Sequence, residues 1–191
     1  NHDFPTFFKN LCLNFQFPNG GKWIQYIKED IDKRLNIKPY CYVVSLLYHA
    51  EKQETKVLLT QQEIGYYVLN NLDVLQGNVP CDIVYNRILE DRKNKVKRDK
   101  LSGSKDWQHI KEQLNMLELA NIIERDQTYI WLNPNESKSI ELFLKANGNI
   151  EFDCYKYDLD SLDERKSLLN DWRTYNGNFH KELYDVKTGF K

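Results

Sequence analysis

The clearest periodic pattern in the chain lies between residues 105 and 120. Apolar residues recur there at intervals of three and four positions, which predicts an amphipathic helix whose buried face carries Trp107, Ile110, Leu114 and Leu117. We interpret Trp107 as a core anchor rather than a side chain that stacks on a base. The opposite, solvent-facing side carries four polar residues: Gln108, Lys111, Glu112 and Asn115.

A short hairpin is predicted directly after this helix. Ile122 and Ile123 precede a polar turn at residues 125–127, and residues 128–131 then alternate between polar and apolar side chains. A helix that runs into a twisted hairpin is typical of the second half of a winged-helix module. In such a module the helix can enter a DNA major groove while the hairpin contacts the backbone.

Further helices are predicted on both sides of this module. Residues 4–17 are aromatic and irregular, and we predict no regular element there. Helical periodicity, capping residues and first-turn prolines predict helices over 23–35, 42–48, 60–72, 80–92, 133–144 and 161–172. The predicted fold class is therefore mainly α, a helical domain containing a winged helix-turn-helix with a small β-hairpin wing. We divide it into an N-terminal helical segment (1–58), a winged-helix DNA-binding module (59–133) and C-terminal helices with a tail (134–191).

Positive charge is concentrated just before the amphipathic helix, although the whole chain has a formal charge of only -1. A local basic block in a neutral chain indicates one face that suits a polyanion. Hydroxyl groups and backbone N–H groups near a helix start also suit a phosphate, and Arg125 at the tip of the wing is a further phosphate candidate. The predicted phosphate contacts are Lys93, Lys95, Lys97, Arg98, Lys100, Ser102, Ser104, Lys105 and Arg125.

The polar face of the amphipathic helix holds the predicted base contacts. Gln108 and Asn115 can pair bidentately with adenine, Lys111 with guanine, and Glu112 can accept from cytosine. The alternative for each of them is an ordinary solvent-facing side chain.

Composition limits the other classes of function. The chain has 191 residues, of which 41% are hydrophobic and 29% charged, as in globular proteins. It contains no apolar run long enough to cross a bilayer and no secretory signal pattern, so we expect a cytoplasmic protein that does not contact a membrane. The four cysteines are far apart in sequence, which indicates neither a disulfide framework nor a zinc site.

Catalytic patterns are weak. Asp82 followed by Asp91-Arg92-Lys93, and Glu164-Arg165-Lys166, have the residue order of a nuclease metal site, but both triplets fall on predicted helices rather than at a strand end. The four histidines are isolated, and no phosphate-binding glycine loop or nucleophile elbow is present. We therefore expect no catalytic or metal-binding residue and no cofactor in this chain.

Several segments carry a family resemblance. They are a Pro-Tyr followed by an apolar helix (39–48), Leu-Thr-Gln-Gln-Glu-Ile (59–64), Ile-Leu-Glu-Asp-Arg-Lys (88–93), and a leucine-rich helix followed by Ile-Ile-Glu-Arg (122–125). Together they resemble the DNA-recognition region of type II restriction endonucleases of the AlwI and FokI kind, over residues 39–144. The resemblance implies a sequence-specific recognition domain tethered to a separate cleavage domain of the same parent protein, which would use Mg²⁺.

Three hypotheses follow. The first is a winged-helix domain that recognises duplex DNA, as part of a restriction endonuclease whose cleavage domain is not in this chain. The second is a winged helix used for protein interaction or assembly, in which the helix face around Gln108 lies against a partner chain. The third is a small metal-dependent nuclease.

Overall fold

The computed structural model of the protein describes residues 4–19, 24–98 and 105–185. Most of these residues are helical. The helices are α1 (Phe4–Asn14), α2 (Ile24–Asp32), α3 (Pro39–Glu51), α4 (Gln61–Ile64), α5 (Leu72–Leu75), α6 (Cys81–Lys93), α7 (Lys105–Leu119), α8 (Ser137–Ala146) and α9 (Leu162–Asp185). A π-helical turn (Gly65–Leu69) follows α4, and a 3-10 turn (Pro134–Glu136) precedes α8.

Three short strands form one antiparallel sheet: β1 (Leu59–Thr60), β2 (Ile123–Arg125) and β3 (Tyr129–Leu132). Their order is β1-β3-β2, with Leu59 opposite Ile130 and Ile123 opposite Leu132. The β2–β3 hairpin confirms the sequence prediction. Strand β1 was not predicted, because two residues are too few to show the alternation of a strand.

The prediction of irregular structure over residues 4–17 is wrong for most of that segment, since Phe4–Asn14 form helix α1. Pro5 stands in its first turn, where a missing N–H costs nothing. Phe8 and Cys12, one helical turn apart, belong to the main core, and α1 packs against α7, α3 and α8. Tertiary packing therefore selects a helix that the aromatic composition does not favour strongly.

Three of the predicted capping residues form the expected hydrogen bonds, at the starts of α4, of the 3-10 turn before α8, and of α9. The backbone N–H of Glu63 donates to Thr60 Oγ1 (3.1 Å), while the N–H of Thr60 donates to Glu63 Oε2 (2.8 Å). The side chain of Asn133 accepts from the N–H of Asn135, and Ser161 Oγ accepts from the N–H of Glu164 (3.4 Å). These local bonds satisfy donors that have no partner inside the helix.

The described residues contain two apolar clusters. The main core combines α1, α3, α4, α6, α7, α8 and the sheet, so it contains residues from all three predicted segments, 1–58, 59–133 and 134–191. A smaller core lies around Ile27, Phe152, Cys154, Leu168 and Trp172, from α2, the loop before α9, and α9 itself. The proposed domain boundaries stay a prediction.

Polar contacts join the segments around Gln16 and Lys38, next to the main core, to the loop before α9, which carries part of the smaller core. Lys38, the residue before α3, is fully buried, and its Nζ lies 2.7 Å from Glu151 Oε1. The buried Gln16 accepts from the backbone N–H groups of Glu151 (3.1 Å) and Phe152 (3.2 Å). Because a buried ammonium group needs a partner, Glu151 holds the loop before α9 against the start of α3.

None of the helices in the described ranges is long and apolar enough to cross a membrane.

Candidate nucleic-acid interface

Helix α7 presents one buried and one polar face, as its periodicity predicts. Ile110, Leu114 and Leu117 are buried in the main core, and Trp107 is half-buried against it, in agreement with its interpretation as an anchor. Gln108, Glu112 and Asn115 are exposed, whereas Lys111 is half-buried. The packed face therefore holds the helix on the domain and leaves the predicted base contacts facing outward.

Three of the predicted base contacts on α7 form side-chain hydrogen bonds or ion pairs inside the protein, with each other or with neighbouring residues. Gln108 Nε2 donates to Glu112 Oε1 (3.2 Å), one helical turn further on. The ring of His109 lies 3.5 Å from Glu112 Oε2 through its Nδ1. Asn115 accepts a hydrogen bond from Arg125. Each predicted base contact except Lys111 thus has an intramolecular partner that orients it.

Arg125 lies at the end of β2 and joins the hairpin to α7. Its Nε donates to Glu118 Oε2 (2.9 Å), its Nη1 donates to Gln61 Oε1 (3.3 Å), and its Nη2 bonds Asn115. Only 14% of its side chain is exposed. In this structure Arg125 therefore connects three elements, and its predicted contact with a phosphate stays a prediction.

Sequence reasoning missed Gln61, which is buried at the start of α4. Its Nε2 donates to the carbonyl of Asp126 (2.6 Å) at the hairpin tip, and its Oε1 accepts from Arg125. The backbone N–H of Gln61 also donates to the carbonyl of Thr128 (2.9 Å). No local signal could identify this residue, because its partners lie more than sixty positions away along the chain.

The tip of the hairpin is shaped by a carboxylate rather than by a basic side chain. Asp126 accepts from the backbone N–H groups of Tyr129 (2.6 Å) and Thr128 (2.7 Å). These two bonds lower the pKa of the Asp126 carboxyl below its ordinary value. The tip therefore stays negatively charged at neutral pH.

In the basic segment, residues 92–105, the described arginines form ion pairs with carboxylates, whereas no described carboxylate pairs with Lys93, Lys95 or Lys97. Arg92 donates to both carboxylate oxygens of Glu63 (2.6 Å each), and Arg98 forms an ion pair with Asp91. Lys93, Lys95 and Lys97 are exposed, and no described residue forms an ion pair with them. Among the described residues 92–98, these three lysines are therefore the cations that no carboxylate neutralises and that an external anion can reach.

Of the other predicted phosphate contacts, Lys100, Ser102 and Ser104 lie outside the described residues, and Lys105 begins α7.

A surface cleft between the turn after α4 and the end of α6 was also missed from the sequence. Arg98 lies over the ring of Tyr66, 4.6 Å from its centroid, and donates to the Tyr66 hydroxyl (2.8 Å). Tyr67 donates to Asp91, and this bond, together with Arg98, lowers the pKa of the Asp91 carboxyl. The cleft therefore keeps Asp91 ionised and holds the chain after α6 against the domain.

The nuclease triplets lie on helices, as predicted. Asp82 and Asp91 are at opposite ends of α6, and Glu164 is in the first turn of α9. Asp91, the first residue of its triplet, is committed to Tyr67 and Arg98. In the described parts of the chain, no three His, Cys, Asp or Glu side chains converge in a way that could hold a metal ion.

Comparisons with known proteins agree on one family. The family model described as restriction endonuclease BpuJI, N terminal, matches residues 1–173. Among solved structures, the fold is similar to a crystal structure of pyrene- and phenanthrene-modified DNA in complex with the BpuJ1 endonuclease binding domain, with a TM-score of 0.84 and 38% sequence identity. That match covers 92% of this chain and 64% of the other chain. No curated protein matches. The chain belongs to the family of N-terminal domains of the restriction endonuclease BpuJI.

Proposed function

We propose that this chain is the part of a restriction endonuclease that recognises duplex DNA. The observation that carries the proposal is the similarity, over 92% of the chain, to a binding domain that was crystallised with DNA. The chain spans 64% of the length of that other chain. In this proposal the cleavage activity belongs to another part of the parent protein. Any Mg²⁺ requirement belongs to that part.

Within this function, α7 and the β2–β3 hairpin act as a winged helix. The order α3, β1, α4, α6, α7, β2, β3, with β3 between the other two strands, supports this assignment. The exposed face of α7 enters the major groove and reads base edges with Gln108, Lys111, Glu112 and Asn115. Lys93, Lys95 and Lys97 contact phosphates beside it. The likeness to AlwI and FokI stays a prediction, because the matched family is that of BpuJI.

A salt titration of duplex binding tests the proposal. Each neutralised phosphate contributes about -0.9 to the slope of log affinity against log salt, so about four contacts give a slope near -4. Replacing Lys93, Lys95 and Lys97 by glutamine should make this slope less negative by about 3. The matched control replaces three exposed lysines elsewhere, Lys56, Lys138 and Lys145, and should leave the slope unchanged. A flat salt response of the unmodified chain contradicts DNA binding.

A second candidate, a protein-interaction domain, is favoured by one observation. Asp106, Glu112 and Glu118 are exposed on α7, and carboxylates repel phosphates. In that case α7 packs against a partner chain. Duplex binding is then absent even at low salt, and replacing either set of three lysines has the same lack of effect on it.

We also propose that the chain alone does not cut DNA. Incubation of duplex DNA with the purified chain and Mg²⁺ or Mn²⁺ should return intact substrate. Cleavage that Asp91→Asn abolishes would contradict this and support the nuclease hypothesis.

A further inference from the structure

The bond between Arg125 and Asn115 determines which hydrogen-bonding group Asn115 can offer. A guanidinium has only donors, so the Asn115 atom that faces Arg125 is the carbonyl oxygen Oδ1. The amide nitrogen Nδ2, with two N–H donors, therefore points away from Arg125. This assignment does not depend on distinguishing oxygen from nitrogen by their positions, because only one orientation forms the bond.

The orientation of Asn115 is held by surrounding contacts. Arg125 is fixed by Glu118 (2.8 Å to Nη2) and by Gln61, and only 14% of its side chain is exposed. If Asn115 turned its amide group over, it would place N–H groups against the guanidinium. That rotation removes a bond to a largely buried charge and is therefore unfavourable.

In the N-terminal half of α7, the exposed side chains offer hydrogen-bond acceptors instead of a donor. A carboxylate is only an acceptor, so Gln108 directs its amide nitrogen towards Glu112 and leaves its Oε1 free to accept. The exposed Glu112 adds further acceptor oxygen. Gln108 and Glu112 thus offer acceptors in the N-terminal half of this face, on either side of the half-buried Lys111. The Asn115 donor lies in the C-terminal half, where the further acceptor Glu118 is paired with Arg125.

We infer that the exposed face of α7 reads DNA with acceptors first and a donor later along the helix, an arrangement called here the polar gradient. Asn115 donates to guanine, and the Gln108–Glu112 pair accepts from the amino groups of adenine or cytosine. The inference rests on the proposed function of α7. Bidentate pairing of Asn115 with adenine needs a donor and an acceptor directed at the same base, and Oδ1, although it has a second lone pair, is directed at Arg125. Guanine presents two acceptors, N7 and O6, which can take both N–H groups of Asn115 Nδ2, whereas adenine N7 and thymine O4 are single acceptors and cytosine presents the N4 donor.

The experiment selects preferred sites from random duplexes with the unmodified chain and with Asn115→Ala and Asn115→Asp. The position whose enrichment disappears in Asn115→Ala is the base that Asn115 reads, and we expect guanine there. Asn115→Asp keeps an oxygen acceptor for Arg125 but removes the donor, so it should also lose the preference for guanine. Asn86→Asp, which makes the same change at an exposed position of α6, is the control and should retain it.

Base analogues then test the atoms involved. Replacing that guanine by 7-deazaguanine removes N7 and should weaken binding of the unmodified chain by about tenfold. The same replacement should have almost no effect on Asn115→Asp, since the donor is already absent. Thermal unfolding of each variant shows whether the fold is preserved.

The outcomes separate this inference from the proposed function. A base other than guanine at the position read by Asn115, an unchanged preference in Asn115→Asp, or binding without any sequence preference overturns this assignment and leaves DNA binding intact. The absence of binding to any duplex at low salt overturns the proposed function itself.

Discussion

Arg125 Nε lies 2.9 Å from Glu118 Oε2, and this ion pair ties the end of β2 to the last turn of α7. The same guanidinium contacts Gln61 and Asn115, so α4, α7 and the hairpin meet at one largely buried cation. A side chain next to the tip of the hairpin thus connects the hairpin to α7 and α4.

The first prediction concerns this junction. Arg125→Met should lower the free energy of unfolding by about 2 to 3 kcal/mol, because it removes several bonds to a charged group and leaves Gln61 Oε1 without its donor. Glu118→Gln should cost less, at most about 1 kcal/mol, because Glu118 is half exposed and glutamine can still accept. Urea denaturation of both variants measures the difference, and equal losses would argue against Arg125 as the centre of the junction.

The second prediction separates a free cation from a paired one. Lys97→Glu should weaken duplex binding to a similar extent on all sequences, because phosphates carry no base identity, and should change stability by less than about 0.5 kcal/mol. Arg98→Glu should weaken binding too, but it should also destabilise the fold by about 1 kcal/mol, since it loses Tyr66 and faces Asp91. Binding assays and denaturation are compared for both variants. A stable Arg98→Glu variant would contradict the structural contact.

The third prediction concerns the buried Lys38. Glu151→Ala leaves its ammonium group buried without its carboxylate and should lower the free energy of unfolding by about 2 to 4 kcal/mol. Lys38→Met removes the charge and keeps most of the length of the side chain, so it should lower the free energy of unfolding by less. In the double variant, Glu151→Ala should lower the free energy of unfolding by less when Lys38→Met is already present. Additive losses in this cycle would mean that the two residues do not stabilise the fold as a pair.

The fourth prediction is a pH dependence. Hydrogen bonds from Lys9 and Ser139 (2.7 Å each) lower the pKa of Glu136 below its ordinary value of 4.5. A carboxyl with a lowered pKa in the folded state stabilises the fold above its unfolded pKa and loses this effect as the pH falls through the folded pKa. Glu136→Gln should therefore destabilise the protein by about 1 to 2 kcal/mol at neutral pH and progressively less below pH 4.5. Denaturation curves of both proteins across this range measure the difference, which should not grow on acidification.

Local patterns in the sequence were sufficient for the helix–hairpin unit. The spacing of Ile110, Leu114 and Leu117 and the Thr60–Glu63 capping box involve residues within one or two helical turns of each other. Such interactions depend on the helix repeat alone and can be recognised without the fold. The family resemblance added the restriction endonuclease class, which the comparisons confirm.

The tertiary structure decided which polar groups are free. Arg92 pairs with Glu63 across 29 positions, Arg125 bonds Gln61 across 64, and Lys38 bonds Glu151 across 113. Along the chain, Arg92 and Arg98 look as available to a phosphate as Lys93, Lys95 and Lys97. The sequence by itself thus determined where the polar helix and the basic segment lie. Only the fold decided which cations are neutralised and which atom of Asn115 faces outward, because those outcomes depend on partners brought together by packing.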